Sequence, residues 1–257
     1  MKIFHCFKRN AFKKFYISEP FKPVNKNITI MYRLKNEYII QMFHVFKRYK
    51  DVDVINDITL NVARNEFMFI SGPSGAGKST MLKLMYKGEN LSKGQIIIDN
   101  LNLVRIVKHN IHVLRRKIGI VFQDFKLIPT KSVYDNVALV LEAKGCSRKS
   151  IKQKVESVLT EVGMDKNMHH LPPSLSGGEQ QRVAVARAIV GEPKIILADE
   201  PTGSLDPESA NIILKLLNEF HLNGGTVILA THDRSIIEGT DKRIVYLNQG
   251  RIEEIIN

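Results

Sequence analysis

The sequence predicts an α/β fold in which short buried strands alternate with helices. The first observation is a glycine-rich loop at residues 72–80, which stands between an apolar run and a helical pattern. The second is a buried run at residues 195–198 that ends on two acids, Asp199 and Glu200. Ligands of open α/β sheets collect beyond the carboxyl ends of the strands. The loop and the two acids are therefore expected at the same edge of one sheet.

The composition argues against a membrane-spanning protein, a disulfide-rich protein and a zinc-binding protein. A chain of 257 residues with 44% hydrophobic residues can bury a substantial core. It has no uncharged apolar stretch of the roughly 18 residues that a spanning helix needs. The two cysteines, Cys6 and Cys146, lie far apart, so neither a disulfide framework nor a zinc site is expected.

The first 41 residues differ from the rest of the chain. They carry nine of the 38 Lys and Arg residues and two of the 26 acids, in a chain whose net charge is +12. Pro20 and Pro23 break any continuous helix. The segment 1–41 is interpreted as a basic extension that is either disordered or not translated, in which case the natural start would be Met42. A short basic helix at a membrane surface is the alternative, because Phe4, Phe7 and Phe15 fall on one helical face.

The domain itself is expected to span residues 42–257. Apolar bursts from Phe43 onward predict strands, and Tyr49 ends the first of them. Further strands are predicted at residues 67–70, 95–99 and 118–122, and Gln123 follows the last of these directly.

The loop at residues 72–80 fits the phosphate-binding pattern G-x-x-x-x-G-K-[ST]. Glycines let the chain curve closely enough for its N–H groups to face phosphates, and the following helix adds its positive N-terminal end. Lys78 is expected to reach the β- and γ-phosphates, and Ser79 to ligate Mg²⁺. The residues of the loop are Gly72, Pro73, Ser74, Gly75, Ala76, Gly77, Lys78, Ser79 and Thr80. The pattern predicts binding of a nucleoside triphosphate.

Helical signals fill residues 124–174. Ser150 and Gln153 have the spacing of a capping box, and Pro172 with Pro173 interrupts any helix. A second capping box is predicted at the run Ser176, Gly177, Gly178 and Glu179, at the start of another helix. Because free N–H groups and a positive dipole lie at that helix end, it is a second anion site with no phosphate of its own nearby in sequence.

The last part of the chain predicts a helix, a strand and a hairpin. Asp206 and Pro207 have the residue types of an N-cap and a first helical position. A strand follows at residues 226–230, with His232 just beyond it. Residues 243–256 are expected to form a small hairpin around Gly250.

Together, the motifs resemble the ATP-binding cassette (ABC) family. They are the phosphate loop, Gln123, the Leu-Ser-Gly-Gly-Glu-Gln run, the Asp199–Glu200 pair, the loop at residues 204–206 and His232. The resemblance implies a RecA-like core, an antiparallel β subdomain and an α-helical subdomain at about residues 124–175. It also implies that ATP is the nucleotide and that two copies pair head to tail when it binds.

The resemblance assigns roles to single residues. Tyr49 would stack on adenine, and Gln123 and Asp199 would join Ser79 at Mg²⁺. Glu200 would activate water, and His232 would contact the γ-phosphate. The signature residues Ser176, Gly177, Gly178 and Glu179 would close on the nucleotide of the partner copy.

The segment at residues 115–127 is most similar to the FtsE branch of the family, bacterial cell-division ATPases. That likeness implies an FtsX-like integral membrane subunit as partner and a peripheral position on the cytoplasmic face of the bacterial inner membrane. Asn65 and Ser204 depart from the FtsE pattern and favour the alternative, the ATPase of a lipoprotein-releasing or macrolide-type exporter. A nucleic-acid-associated ABC ATPase is the remaining alternative, but coiled coils, zinc modules and a second cassette are missing, so no nucleic acid is expected.

Overall fold

A computed structural model of the protein describes residues 37–257. Most of the basic extension expected from the sequence, and the surface helix offered as its alternative, lies outside the described residues. The first strand already begins at Tyr38, where Ile39 and Ile40 are buried. The folded domain therefore includes residues 38–41, which the sequence boundary at Met42 left out.

The antiparallel sheet covers one side of the domain. Its strands are β1 (Tyr38–Tyr49), β2 (Val52–Ala63), β4 (Lys93–Ile98) and β5 (Leu101–Asn102), in the order β2-β1-β4-β5. Met42 lies opposite Leu60 on one side and Ile96 on the other, and all three are buried. This apolar face packs toward the core, as half-buried antiparallel sheets do.

A six-stranded sheet forms the centre of the domain. Its strands are β3 (Phe67–Ser71), β6 (Ile118–Val121), β7 (Ile195–Asp199), β8 (Thr226–Thr231), β9 (Arg243–Asn248) and β10 (Arg251–Ile256). The order is β10-β9-β3-β8-β7-β6, and every pair is parallel except the β9–β10 hairpin. The central strands β3, β7 and β8 are mostly apolar because both faces of the sheet are covered.

Helices cover the parallel sheet. They are α1 (Lys78–Met85), α2 (Ile111–Arg115), α3 (Val133–Ala143), α4 (Arg148–Glu161), α5 (Gly177–Ile189), α6 (Pro207–Leu222) and α7 (Arg234–Ile237). Alternate residues of β8 face two different cores: Val227 and Leu229 pack with α3 to α6, while Ile228 and Ala230 pack with α1 and the antiparallel sheet. No helix among residues 37–257 is both long and apolar enough to cross a bilayer.

The helix starts agree with the sequence in two cases and differ in one. Ser176 and Glu179 form both bonds of the predicted capping box, and Asp206 caps α6 with Pro207 in the first turn. The capping box predicted at Ser150 and Gln153 is wrong, because α4 begins at Arg148 and the Ser147 hydroxyl accepts from the Ser150 N–H at 3.4 Å. Two serines three residues apart compete for the cap, and the earlier one directly follows the turn that ends α3.

Asp99 joins the antiparallel sheet to the parallel sheet. Its carboxylate is buried at the end of β4 and accepts from Arg64 at 2.8 Å, Lys117 at 2.5 Å and Lys194 at 2.8 Å. Lys117 and Lys194 directly precede β6 and β7, respectively. Burial alone would raise the pKa of Asp99, but the hydrogen bonds from Lys117, Lys194 and Arg64 hold it well below its usual range.

Candidate active site

A cavity of about 300 Å³ opens at the carboxyl edge of the parallel sheet. It lies where β3, β7 and β8 end, which is the place expected for a ligand of this topology. The residues that line it are Val54, Ser74, Gly75, Gly77, Lys78, Ser79, Thr80, Gln123, Glu200 and His232. Residues from five separate parts of the chain therefore meet around one space.

The glycine-rich loop forms the floor of the cavity between β3 and α1. Gly72 has a φ of 146°, and a Cβ there would lie 2.0 Å from the Leu247 carbonyl oxygen, so only glycine fits. Gly77 has a φ of 104° at the N-cap of α1, where a Cβ would lie 2.8 Å from the Val54 carbonyl oxygen. Pro73 and Ala76 close the turn through a hydrogen bond from the Ala76 N–H to the Pro73 carbonyl at 3.1 Å. The loop is thus folded so that α1 begins at the cavity.

Lys78 is buried beneath this loop. Its ammonium donates to the Gly72 carbonyl at 2.7 Å and to the Pro73 carbonyl at 3.1 Å, and it lies 3.6 Å from Glu200 Oε1. A compact cation at the first position of α1 adds to the positive end of that helix. The arrangement suits an anion bound across the loop.

Asp199 and Ser79 form the candidate metal position. The Ser79 hydroxyl donates to Asp199 Oδ1 at 2.8 Å across 120 residues of sequence. Burial raises the pKa of Asp199, and the charge of Glu200 adds to this, while the Ser79 hydrogen bond opposes it. A cation bound here would relieve the cost of the buried carboxylate.

The donor set suits Mg²⁺. Hydroxyl and carboxylate oxygens are its preferred ligands, and it commonly uses one or two carboxylates together with phosphate oxygens and water. Residues 37–257 contain no cluster of three or more His, Cys, Asp and Glu that could hold a metal ion.

Glu200 and His232 meet at the end of the cavity. Glu200 Oε1 lies 2.8 Å from His232 Nδ1, and Glu200 Oε2 accepts from the His232 N–H at 3.3 Å. Glu200 is 8% exposed and has a φ of 47°, while its own N–H donates to the Ala230 carbonyl at 2.9 Å. A nonglycine residue in the left-handed region carries strain that recurs at functional sites. The strained backbone and the histidine together hold the carboxylate at one orientation.

Gln123 follows β6 and lies exposed at the mouth of the cavity. Phe125 and Lys126 after it have φ values of 58° and 51°. Arg187 of α5 donates to the Phe125 carbonyl at 2.7 Å and to the Lys126 carbonyl at 2.6 Å. One guanidinium therefore holds the strained turn that positions Gln123.

The signature residues lie at the start of α5 rather than in the cavity. Ser176 and Gly177 are exposed, and a Cβ on Gly178 would come 2.4 Å from the Ser209 hydroxyl oxygen of α6. The Glu179 side chain accepts from the Ser176 N–H at 2.8 Å, and this hydrogen bond lowers its pKa. In the described chain, the N-terminal end of α5 thus faces solvent.

Tyr49 is likewise absent from the cavity lining among the described residues. It lies 37% exposed at the end of β1, with the Lys47 ammonium 4.3 Å from its ring centroid. The predicted stacking on adenine stays a prediction.

Sequence reasoning missed two residues of the site. Val54 lines the cavity from the start of β2, where nothing in the pattern separates it from other strand valines. Gln181 is fully buried and donates to the Pro201 carbonyl at 2.8 Å, directly after Glu200. Its position directly after the Leu-Ser-Gly-Gly-Glu-Gln run was the one available signal.

Comparison with known proteins identifies the family of this chain. The family model described as ABC transporter matches residues 55–203, which is more than half of the chain. The cell division ATP-binding protein FtsE of Bacillus subtilis is 44% identical over 215 residues, which cover 83% of this chain and 94% of that protein. FtsE of Streptococcus pneumoniae is 43% identical with the same coverage, and FtsE of Escherichia coli is 40% identical over 83% of this chain and 97% of that protein.

Solved structures show the same architecture. The dimeric, post-hydrolysis structure of the ATP-binding cassette MJ0796, bound to ADP and inorganic phosphate, has a TM-score of 0.79 and 36% identity, and covers 85% of this chain and 98% of that chain. The cbiO1 subunit of an ABC transporter complex from Clostridium perfringens has a TM-score of 0.78 and 32% identity, and covers 86% and 89% of the two chains.

The protein therefore belongs to the ABC transporter family, as an ATP-binding cassette with ATPase activity. Its curated relatives group it, within that family, with the cell-division ATP-binding proteins of the FtsE type.

Proposed function

We propose that this chain hydrolyses Mg-ATP to drive an FtsX-like integral membrane subunit in bacterial cell division, from the cytoplasmic face of the plasma membrane. The observation that carries the hydrolytic part is the convergence of Lys78, Ser79, Glu200 and His232 around one cavity. The FtsE relatives support the cell-division part.

ATP binding relies on the loop at residues 72–80. Its backbone and the start of α1 would receive the phosphates, and Lys78 would exchange the Gly72 and Pro73 carbonyls for phosphate oxygens. Ser79, Asp199 and Gln123 would hold Mg²⁺. Bound there, the metal neutralises charge on the phosphates.

In the proposed hydrolysis, Glu200 is the residue that takes up the proton. Its carboxylate would orient the attacking water and accept its proton, while His232 fixes the rotamer of Glu200 and contacts the γ-phosphate. Phosphoryl transfer depends mainly on positioning and charge stabilisation, which matches a site built from strand ends and a helix start.

Pairing of two copies explains the exposed start of α5. Free N–H groups at Gly177 and Gly178, the first two residues of α5, would meet the γ-phosphate bound to the other copy. Leu205 lies beside Gly177, so the loop at residues 204–206 would cross the same interface. The dimeric cassette MJ0796 supports this arrangement.

The first test is Glu200→Gln. The amide keeps the shape of the side chain but cannot take a proton, so hydrolysis is expected to fall at least about 100-fold while ATP affinity is retained. Turnover and calorimetric affinity are measured beside Glu192→Gln, an exposed acid outside the cavity, which should behave as wild type. A Glu200→Gln protein with half the wild-type turnover would remove Glu200 from this role.

The second test addresses pairing. Glu200→Gln with saturating Mg-ATP is expected to run as a dimer by size exclusion with light scattering. Adding Ser176→Arg should leave a monomer, because the larger side chain occupies the space of the partner's γ-phosphate. A monomer with Ser176 intact would contradict pairing by this chain alone.

The partner is tested by copurification from detergent-solubilised membranes. Tagged wild-type protein is expected to bring down an FtsX-like membrane protein, identified by mass spectrometry. Recovery of a lipoprotein-releasing or efflux subunit instead would transfer the proposal to the exporter class.

A further inference from the structure

Gln181 lies where three functional segments approach one another. It sits in α5, five residues beyond Ser176, and is fully buried. Around it are the end of β6, which leads into Gln123, and the turn that follows Glu200. Among the described residues of α5, Gln181 alone forms side-chain hydrogen bonds to both of these segments.

The carboxamide of Gln181 bridges the two segments. Its Nε2 donates to the Pro201 carbonyl at 2.8 Å and approaches the Phe122 carbonyl at 3.5 Å. Because both neighbours are acceptors, the nitrogen must face them. Pro201 directly follows Glu200, and Phe122 directly precedes Gln123.

The two bridged segments also approach each other in the cavity. The Gly203 N–H donates to the Glu200 carbonyl at 3.3 Å, which closes the turn after Glu200. A Cβ on Gly203 would lie 4.0 Å from Gln123 Nε2. The Gln123 side chain therefore lies close to the turn that follows Glu200. The Gln181 amide lies between the backbones of these two segments.

Stability alone does not account for an amide at this position. Gln181 Oε1 is buried without a hydrogen-bond partner in the described chain. A buried polar atom left unpaired is unfavourable, whereas an apolar side chain of the same shape is often neutral or stabilising. Gln181 therefore has a donor for the two carbonyls together with a buried unpaired oxygen. Methionine, with a similar shape, would lack both.

We propose that Gln181 is a positioning residue for hydrolysis, whose carboxamide fixes the segments carrying Gln123 and Glu200 relative to the signature helix. It is fully buried and does not line the cavity, and it acts through the Pro201 and Phe122 peptides. A displacement of catalytic groups by about 1 Å is enough to slow an enzyme about 100-fold. This proposal rests on the proposed function, because it assigns hydrolysis to Glu200.

The test compares Gln181→Met with Gln153→Met. Gln153 is the matched control, since it is a glutamine of a neighbouring helix, α4, that lies exposed and outside the cavity. Gln181→Met is expected to lower kcat at least about 10-fold, with ATP affinity within about twofold of wild type and an unchanged or higher melting temperature. Gln153→Met should keep kcat within about twofold.

A second variant keeps the test valid if methionine disturbs folding. Gln181→Glu preserves the shape, but its ionised carboxylate cannot donate to the two carbonyls. Its kcat relative to wild type is expected to rise as pH falls, because the buried carboxyl, with a raised pKa, becomes protonated and donates again.

The outcomes separate this proposal from the proposed function. Loss of turnover in Glu200→Gln together with near-wild-type kcat in Gln181→Met, or in Gln181→Glu at all pH values, would overturn the role of Gln181 alone. Retained turnover in Glu200→Gln would overturn the proposed function itself. Combining Gln181→Met with Glu200→Gln should add little further loss, because one residue acts through the other.

Discussion

Asp199 is a residue at which burial and function oppose each other. Burial raises its pKa, and the neighbouring Glu200 raises it further. A carboxyl with a raised pKa in the folded state holds its proton more tightly than in the unfolded chain. Stability is therefore lost as pH rises through the folded pKa, and the ionised group destabilises the nucleotide-free protein at neutral pH.

Asp199→Asn is expected to raise the melting temperature of the nucleotide-free protein at pH 8. The amide removes the buried charge and can still accept from the Ser79 hydroxyl. The difference from wild type should shrink as pH falls toward the ordinary carboxyl pKa of about 3.9. Thermal melts across pH measure both effects, and added Mg-ATP should stabilise wild type much more than the variant. A lower melting temperature for Asp199→Asn at pH 8 would contradict this account.

Single residues of the site could be located from sequence when a pattern placed them. Asp199 and Glu200 follow a buried run, and Lys78 and Ser79 stand at fixed offsets from glycines, so their neighbourhood followed from topology. The hydrogen bonds between these residues could not be predicted in this way. Gln181 could not be assigned, because its role depends on two carbonyls that lie 20 and 59 residues away in the chain.

At the scale of elements, caps decide where helices begin. Ser147 caps α4, while Ser150 lies inside its first turn. Ser147→Ala is expected to cost about 0.5–1 kcal/mol of the free energy of unfolding, because the Ser150 N–H loses its acceptor. Ser150→Ala should change it by less than about 0.3 kcal/mol. Chemical denaturation of the two variants provides the comparison, and a larger loss at Ser150 would restore the sequence interpretation.

The elements themselves were largely predictable. Apolar periodicity and breakers identified β3, β6, β7, β8 and the closing hairpin, because strands buried on both faces are continuous in hydrophobicity. Helix starts were predictable where one cap candidate stood alone, as at Ser176 and Asp206. At α4 the spacing to Gln153 favoured Ser150 over Ser147, whereas Ser147 caps the helix, shortly after the turn at Gly145 with its φ of 77°.

At the scale of the whole molecule, Asp99 connects the two sheets. Asp99→Asn removes the carboxylate to which Lys117 and Lys194 donate at this joint. Because these cations are partly exposed, Asp99→Asn is expected to lower the free energy of unfolding by about 2–3 kcal/mol. This is at or below the lower end of the range for breaking a buried ion pair. Glu156→Gln, which breaks the exposed pair with Lys152, is the control and should cost less than about 0.5 kcal/mol.

The pH dependence of this joint has a defined sign. A depressed pKa means that the stabilisation by Asp99 is fully present above the unfolded carboxyl pKa of about 3.9, and is lost as pH falls toward the folded value. The difference between wild type and Asp99→Asn should therefore be constant from pH 6 to pH 8 and shrink below pH 4. A difference that changes between pH 6 and pH 8 would point to another titrating group.

The order of strands also sets when the nucleotide site can form during synthesis. β3 carries the phosphate loop, yet its two neighbours in the described sheet, β8 and β9, are made about 150 residues later. The loop therefore leaves the ribosome long before the strands that shape it. Until those strands are made, the five residues of β3, all buried in the folded domain, lack their neighbours in the sheet. A nascent chain that stops before residue 226 is expected to bind no ATP, which photo-crosslinking of stalled chains with an ATP analogue would show. The ability to bind nucleotide is therefore expected to arise only after β8 and β9 have been made.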